Sequence, residues 1–316
     1  MAKRIIKNKK ISIFTLLLFI LILLIFLFLP GQNIYQQSIK QGRPLVAGVH
    51  FVVPSPAPYP INMTGILPPD ITAQGVIISD ISSRVILFEK NPKIKMAPAS
   101  TTKIMSAIVA LEKFKKDDVL TVNTVITEGK KMSLIPGEKF TFENLLYGML
   151  VDSANDATYT IAENYPGGVT NFVQAMNKKA QDLFLQDTNF TNPIGFEDNN
   201  HYTTAADLAR LSTYALNNSD IIRIVGIPAI TISDITFTRF YSMENVNQLL
   251  GKIPGVFGFK TGWTENAGEC LVTTIERGDK KILIIILGSK DRFGETKLLI
   301  DWVFTNFSWQ TIAQPT

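Results

Sequence analysis

The run ASTTK at 99–103 places a serine, Ser100, three positions before a lysine, Lys103. Side chains at that spacing share one face of a helix. The stretch that follows, IMSAIVALEKF, reads as an amphipathic helix over about 100–114. The pair therefore has a chemistry open to it, a nucleophile beside its own base. A serine hydroxyl is a weak nucleophile until something takes its proton. Lysine can do so only when neutral, and its ordinary pKa of about 10.4 keeps it charged. Burial and a second nearby cation both lower that value. The reading thus demands another lysine close to Lys103 and polar groups able to pass a proton.

Candidates for those parts lie elsewhere in the chain. VDSANDA at 151–157 carries Ser153 and Asn155 at a junction between two predicted helices. GFKTGWT at 258–264 carries Lys260, Thr261 and Gly262 on a predicted strand. A glycine there leaves room for a substrate backbone to approach. Ser100 opens a helix, where a backbone N–H carries partial positive charge suited to an oxyanion. Taken singly each signal is weak, because S-x-x-K is expected roughly once by chance in a chain of this length. An ordinary helix start with a solvated lysine, a strand-edge charge at Lys260, and a cap or turn at Ser153 and Asn155 would each suffice alone. The three motifs occur once each and in this order, which separate accidents do not readily produce.

These residues need secondary-structure elements to position them. AQGVIISD and RVILFEK read as strands joined by a turn at 80–83. TFENLLYGMLVDSA, DATYTIAENY, VTNFVQAMNKKAQDLF and TTAADLARLSTYALNN read as helices. Beyond 226, PAITISDITFTRF, GVFGFK, ECLVTTIE and KKILIIILGS are strand-like, with RGDK a hairpin turn, and a helix over about 291–307 closes the domain. Strands, helices, then strands again predict an α+β fold with a mainly antiparallel sheet.

Composition removes several classes. Of 31 Lys and Arg, five fall in the first ten residues, leaving 26 against 27 Asp and Glu. No basic face for nucleic acid is indicated. Cys270 is the only cysteine, and His50 and His201 are the only histidines, so neither an intrachain disulfide nor a His/Cys zinc site is supported. Cys270 is read as a buried small residue in a strand, and His201 as structural.

The segment 11–29 is uncharged and apolar and follows a basic tail at 1–10. Its 19 residues would rise about 28 Å as a helix, near the roughly 30 Å of a bilayer core. It is longer than a signal-peptide core and lacks an A-x-A-like site after it. The expectation is an uncleaved single-pass anchor in the cytoplasmic membrane, with everything after residue 30 on the extracytoplasmic face. Residues 30–69 hold eight of the 16 prolines and read as a semi-stiff linker. The folded domain is expected over 70–309, with a short tail at 310–316.

The motifs together match S-x-x-K, S-x-N and K-T-G, the signature of β-lactamases and penicillin-binding proteins, with S-A-N for S-D-N. Over roughly 70–308 the chain resembles the D-alanyl-D-alanine carboxypeptidases, low-molecular-mass penicillin-binding proteins of the serine peptidase group. EKNPKIKMAPASTTKIMSAIVALE, PGEKFTFENLLYGMLVDSANDA, HYTTAADLA and GVFGFKTGWTENAG are all similar to that family's runs.

The resemblance implies a β-lactamase/transpeptidase-like fold, an antiparallel sheet flanked by helices plus a helical lobe, with no cofactor and no metal. It implies that Ser100 attacks the penultimate D-alanine carbonyl of a peptidoglycan stem peptide, with Lys103 as base. Ser153 would relay a proton to the leaving amine, and Asn155 would hold Lys103 and the substrate amide. Lys260 would depress the pKa of Lys103, and Thr261 would bind the terminal carboxylate. The N–H groups of Ser100 and Trp263 would form the oxyanion hole. Arg292 corresponds to a family arginine of the carboxylate region, across a short gap. Penicillins would acylate Ser100. Ala154 stands where the family often has glycine. A D,D-endopeptidase would use the same residues, a β-lactamase would need an E-x-x-L-N segment that is absent, and an idle wall-binding scaffold would not need intact motifs.

Overall fold

The computed structural model describes residues 12–28 and 57–311, which belong to two separate units divided after Pro54. In the first unit, helix α1 covers Ile13–Phe28. Its 16 residues rise about 24 Å, and among the described residues no helix is long and apolar enough to cross a membrane. Residues 30–56 of the expected linker, with His50, lie outside the described residues.

The second unit is organised by a five-stranded antiparallel sheet of order β3-β2-β10-β9-β8. Its strands are β2 (Gly75–Asp80), β3 (Ile86–Lys90), β8 (Val256–Thr264), β9 (Gly268–Arg277) and β10 (Lys280–Ser289). The apolar run of β10 serves two cores at once because successive side chains leave opposite faces. Ile282, Ile284 and Ile286 pack with Val76, Ile78 and Leu271 against Leu299, Ile300 and Val303 of helix α8 (Arg292–Asn306). Leu283, Ile285 and Leu287 face the other way, with Ile77, Cys270 and Val272, into the helical lobe. Burial on both faces explains why the strand is apolar throughout instead of alternating. Cys270 is fully buried, as expected. The RGDK turn is a two-residue loop whose Gly278 takes φ +65°, a conformation glycine adopts at no steric cost.

The lobe is built from α2 (Lys103–Lys113), α3 (Phe142–Leu150), α4 (Asn155–Glu163) and α5 (Gly168–Asp182), with α6 (Ala205–Ala215) next to the sheet. Thr204 caps α6, its side chain accepting the Asp207 N–H at 3.0 Å. A further helix, α7 (Ser219–Val225), was not anticipated and is capped by Asn218. Nor was the short pair β4 (Val119–Thr121) and β5 (Lys139–Thr141).

Two expectations need correction. PAITISDITFTRF is not one strand but β6 (Ala229–Ser233), a turn, and the start of β7 (Phe240–Glu244). The Asp234 carboxylate accepts the N–H groups of Thr238 and Arg239, each at 2.9 Å. Such local bonds compete with a strand ladder and turn the chain. The linker assigned to 30–69 is also too long at its far end. Within it, β1 (Tyr59–Asn62) pairs antiparallel with β11 (Phe307–Gln310), so the folded unit begins before residue 70.

Candidate active site

Ser100 sits in a 3-10 turn, Ala99–Thr102, that runs directly into α2 at Lys103. The turn is wedged between two backbones. A Cβ added to Gly195, which has φ +91°, would lie 1.9 Å from the Ala99 carbonyl oxygen. A Cβ on Gly262 would come within 3.1 Å of the Ser100 nitrogen and of the Pro98 oxygen. Gly262 therefore admits the protein's own Ser100 turn against β8, a role the sequence reading had given to a substrate backbone.

Lys103 is completely buried. Its Nζ lies 2.8 Å from Ser100 Oγ, 2.7 Å from Asn155 Oδ1 and 3.0 Å from the Ile194 carbonyl oxygen. Burial, then the positive charge of Lys260, holds its pKa well below the ordinary lysine value, against an opposing pull from Asp156. A neutral amine has two N–H groups and one lone pair. Asn155 Oδ1 and the Ile194 oxygen can only accept, so they take both N–H groups. The lone pair is left facing the Ser100 hydroxyl, as a base requires.

A second serine–lysine couple stands beside the first. Lys260, on β8, is buried and donates to Ser153 Oγ at 2.7 Å and to the Thr261 carbonyl at 3.0 Å. Its pKa falls to about 7, by burial first and the Arg292 charge second, with Asp152 opposing. Ser153 adopts φ +60° and caps no helix; the N-cap of α4 is Ala154, without a side-chain bond. Asn155 is the first residue of α4, held by its N–H to the Lys130 carbonyl at 2.7 Å and by Nδ2 to the Glu128 carbonyl at 3.0 Å.

Ser100, Ser153, Asn155, Thr261, Gly262, Trp263 and Arg292 all line one open cleft of about 700 Å³. Both lysines lie behind its wall. Arg292 Nη1 donates to the Gly262 carbonyl at 2.6 Å, while the Trp263 side chain is exposed. The fold thus gathers every candidate residue into one place. Among the described residues no group of three or more His, Cys, Asp or Glu could hold a metal ion.

His201 is buried and hydrogen-bonded at both ring nitrogens. Thr191 N–H donates to Nδ1 at 3.0 Å, which leaves Nε2–H to donate to Thr102 Oγ1 at 2.8 Å. Burial lowers its pKa to about 4. Sequence reasoning missed the Ile194 carbonyl, since a backbone oxygen has no residue-type signature. It also missed Asp156, whose carboxylate accepts the N–H groups of Met132 and Leu134, each at 3.0 Å, and pins the loop that holds Asn155. The Asn-Pro-x-Gly turn at 192–195 was the one local signal available.

A family model described as D-alanyl-D-alanine carboxypeptidase matches residues 62–291. Among curated relatives, DacF of Bacillus subtilis is 31% identical over 74% of this chain and 63% of its own length. DacA of Haemophilus influenzae is 35% identical over 77% of this chain and 64% of its own. A protein named D-alanyl-D-alanine endopeptidase from Pseudomonas aeruginosa is 30% identical over 75% of this chain and 78% of its own. The chain thus spans just under two thirds of the first two relatives. Among solved structures, the Streptomyces K15 DD-transpeptidase superposes with TM-score 0.72 at 29% identity, covering 76% of this chain and 100% of its own. Penicillin-binding protein D2 of Listeria monocytogenes, in an ampicillin-bound form, gives 0.66 at 27%, covering 75% and 100%.

Proposed function

The chain belongs to the D-alanyl-D-alanine carboxypeptidase family, and we propose that it is a serine-type D-Ala-D-Ala carboxypeptidase acting on peptidoglycan stem peptides. The observation that carries this is the contact between Lys103 Nζ and Ser100 Oγ, with both N–H groups of the neutral amine spoken for. Ser100 Oγ attacks the carbonyl of the penultimate D-alanine as Lys103 takes its proton. The N–H groups of Ser100 and Trp263 stabilise the oxyanion. Thr261, in the cleft that Arg292 also lines, receives the terminal carboxylate. The proton returns through Ser153 to the leaving nitrogen, the C–N bond breaks, and free D-alanine departs. Water then attacks the ester on Ser100, giving a peptide shortened by one residue and the free serine. The strained amide of a penicillin enters the same path and stays as the acyl-enzyme.

Residues 11–29, behind five basic residues, would tether the enzyme to the cytoplasmic membrane with its catalytic unit outside. The relative named an endopeptidase favours one second reading, cleavage of cross-linked stem peptides by the same residues. Purified protein is to be offered fluorescent penicillin, a stem pentapeptide and a cross-linked stem dimer, in parallel with Ser100→Ala. Serine-dependent labelling with D-alanine release from the pentapeptide is expected. Cleavage of the dimer alone would move the assignment to the endopeptidase, and a folded protein that takes no label would end the serine mechanism.

A further inference from the structure

The neutral Lys103 amine faces Ser100 correctly only while two acceptors occupy its N–H groups. One of them, Asn155 Oδ1, belongs to the established motif. The other is a main-chain oxygen on the loop 191–198, and something must hold that oxygen in place. The turn around it is gathered on a single side chain. Asn192 Oδ1 accepts the N–H groups of Ile194 at 3.2 Å, Gly195 at 2.8 Å and Phe196 at 3.0 Å. Its Nδ2 donates back to the Phe196 carbonyl at 3.0 Å. Three consecutive amides converging on one oxygen fix the orientation of the peptide units between them, including the one that carries the Ile194 carbonyl.

The turn is also docked from outside on the helix that bears the base. Ser106 Oγ, three residues beyond Lys103 on α2, donates to the Pro193 carbonyl at 2.5 Å. His201 ties Thr191 to Thr102. Gly195 presses against the Ala99 carbonyl, just before the nucleophile. The turn is thus fastened to the Ser100–Lys103 segment at three points, and Asn192 closes it between them.

We propose that Asn192 is a positioning residue for the reaction, holding the Ile194 carbonyl so that the Lys103 lone pair points at Ser100. It touches neither substrate nor reacting atoms and acts through Lys103. Without it, the Ile194 oxygen swings away and the amine is free to turn an N–H toward Ser100 Oγ, where it cannot accept a proton. This rests on the serine–lysine reading above.

The test is the rate constant of penicillin acylation, separated from the affinity of the preceding noncovalent complex, as a function of pH. The alkaline plateau, where Lys103 is neutral regardless of Lys260 and Asp156, isolates orientation from protonation. Asn192→Ala is expected to lower the plateau by about 10²-fold, the scale of a small misplacement of a catalytic group, with the noncovalent affinity unchanged. Asn192→Asp keeps the triple acceptor and is expected to recover most of that loss. A folded Asn192→Ala within about twofold of wild type, on the same scale, would overturn the proposal. So would an equal loss in Asn192→Asp. If the alanine variant does not fold, Asn192→Leu, which keeps the volume and removes the acceptor, is measured in its place against the same twofold limit. Wild-type protein that takes up no penicillin would instead remove the reading beneath the proposal, so the two failures are distinguishable.

Discussion

The cleft holds two serine–lysine couples of nearly equal length, 2.8 Å for Ser100–Lys103 and 2.7 Å for Ser153–Lys260, yet they are built differently. The first is local, one turn of helix apart, and its lysine meets two obligate acceptors besides the serine. The second joins residues 107 positions apart, and its lysine has one such acceptor, the Thr261 carbonyl. A neutral Lys103 has its lone pair directed at Ser100. Neutral Lys260 keeps an N–H for the Thr261 oxygen and can either donate to Ser153 or accept from it. Its pKa of about 7 lets it also carry charge near neutrality. On the proposed mechanism one couple takes a proton in one direction, while the other exchanges protons and biases its neighbour by charge.

That division of labour is open to attack, and the sharpest blow is Lys103→Met. If Lys103 is the base, its loss should cut acylation of Ser100 by about 10³-fold at all pH values, within the range for general-base removal. A variant that acylates at near wild-type rate, measured by fluorescent penicillin, would hand the base role to Lys260.

Lys260→Met should cost less, about 10²-fold, at the low end of the same range, and should do something Lys103→Met cannot. The charge of Lys260 depresses the Lys103 pKa. With that charge gone, Lys103 holds its proton to higher pH. The acid limb of the acylation profile must then move to higher pH. A lower rate with an unmoved limb would show that Lys260 matters for contact and not for charge.

The smallest effect concerns the framework of the first couple. His201 titrates at about 4 in the folded protein against 6.5 ordinarily. The unfolded chain therefore binds more protons between those values, and stability rises with pH through that window. The contribution is fully present above about 6.5 and is lost as pH falls toward 4. His201→Gln should flatten the pH dependence of the melting temperature across that window relative to wild type. Equal slopes in the two proteins would mean that His201 is not buried neutral against Thr102 and Thr191.

Much of this was legible in the sequence, for reasons that can be separated. Ser100 and Lys103 could be paired because helical geometry relates residues three apart without help from the rest of the chain. β10 could be recognised as a strand from its apolar run and the RGDK turn. The run ending at Arg239 and Phe240 misled because one carboxylate, Asp234, bends a β-prone stretch back on itself. β1 was hidden in a proline-rich stretch because its partner, β11, lies at the far end of the chain.

The sequence by itself determined which residues were equipped for proton transfer and how one couple would form. The tertiary structure alone decided that Ser153 meets Lys260, that Gly262 makes room for the Ser100 turn, and that the Ile194 carbonyl meets the Lys103 amine. The reason is physical. A local couple is specified by backbone periodicity, whereas burial, a charge carried by a distant strand, and the direction of a peptide oxygen exist only once separate segments have packed.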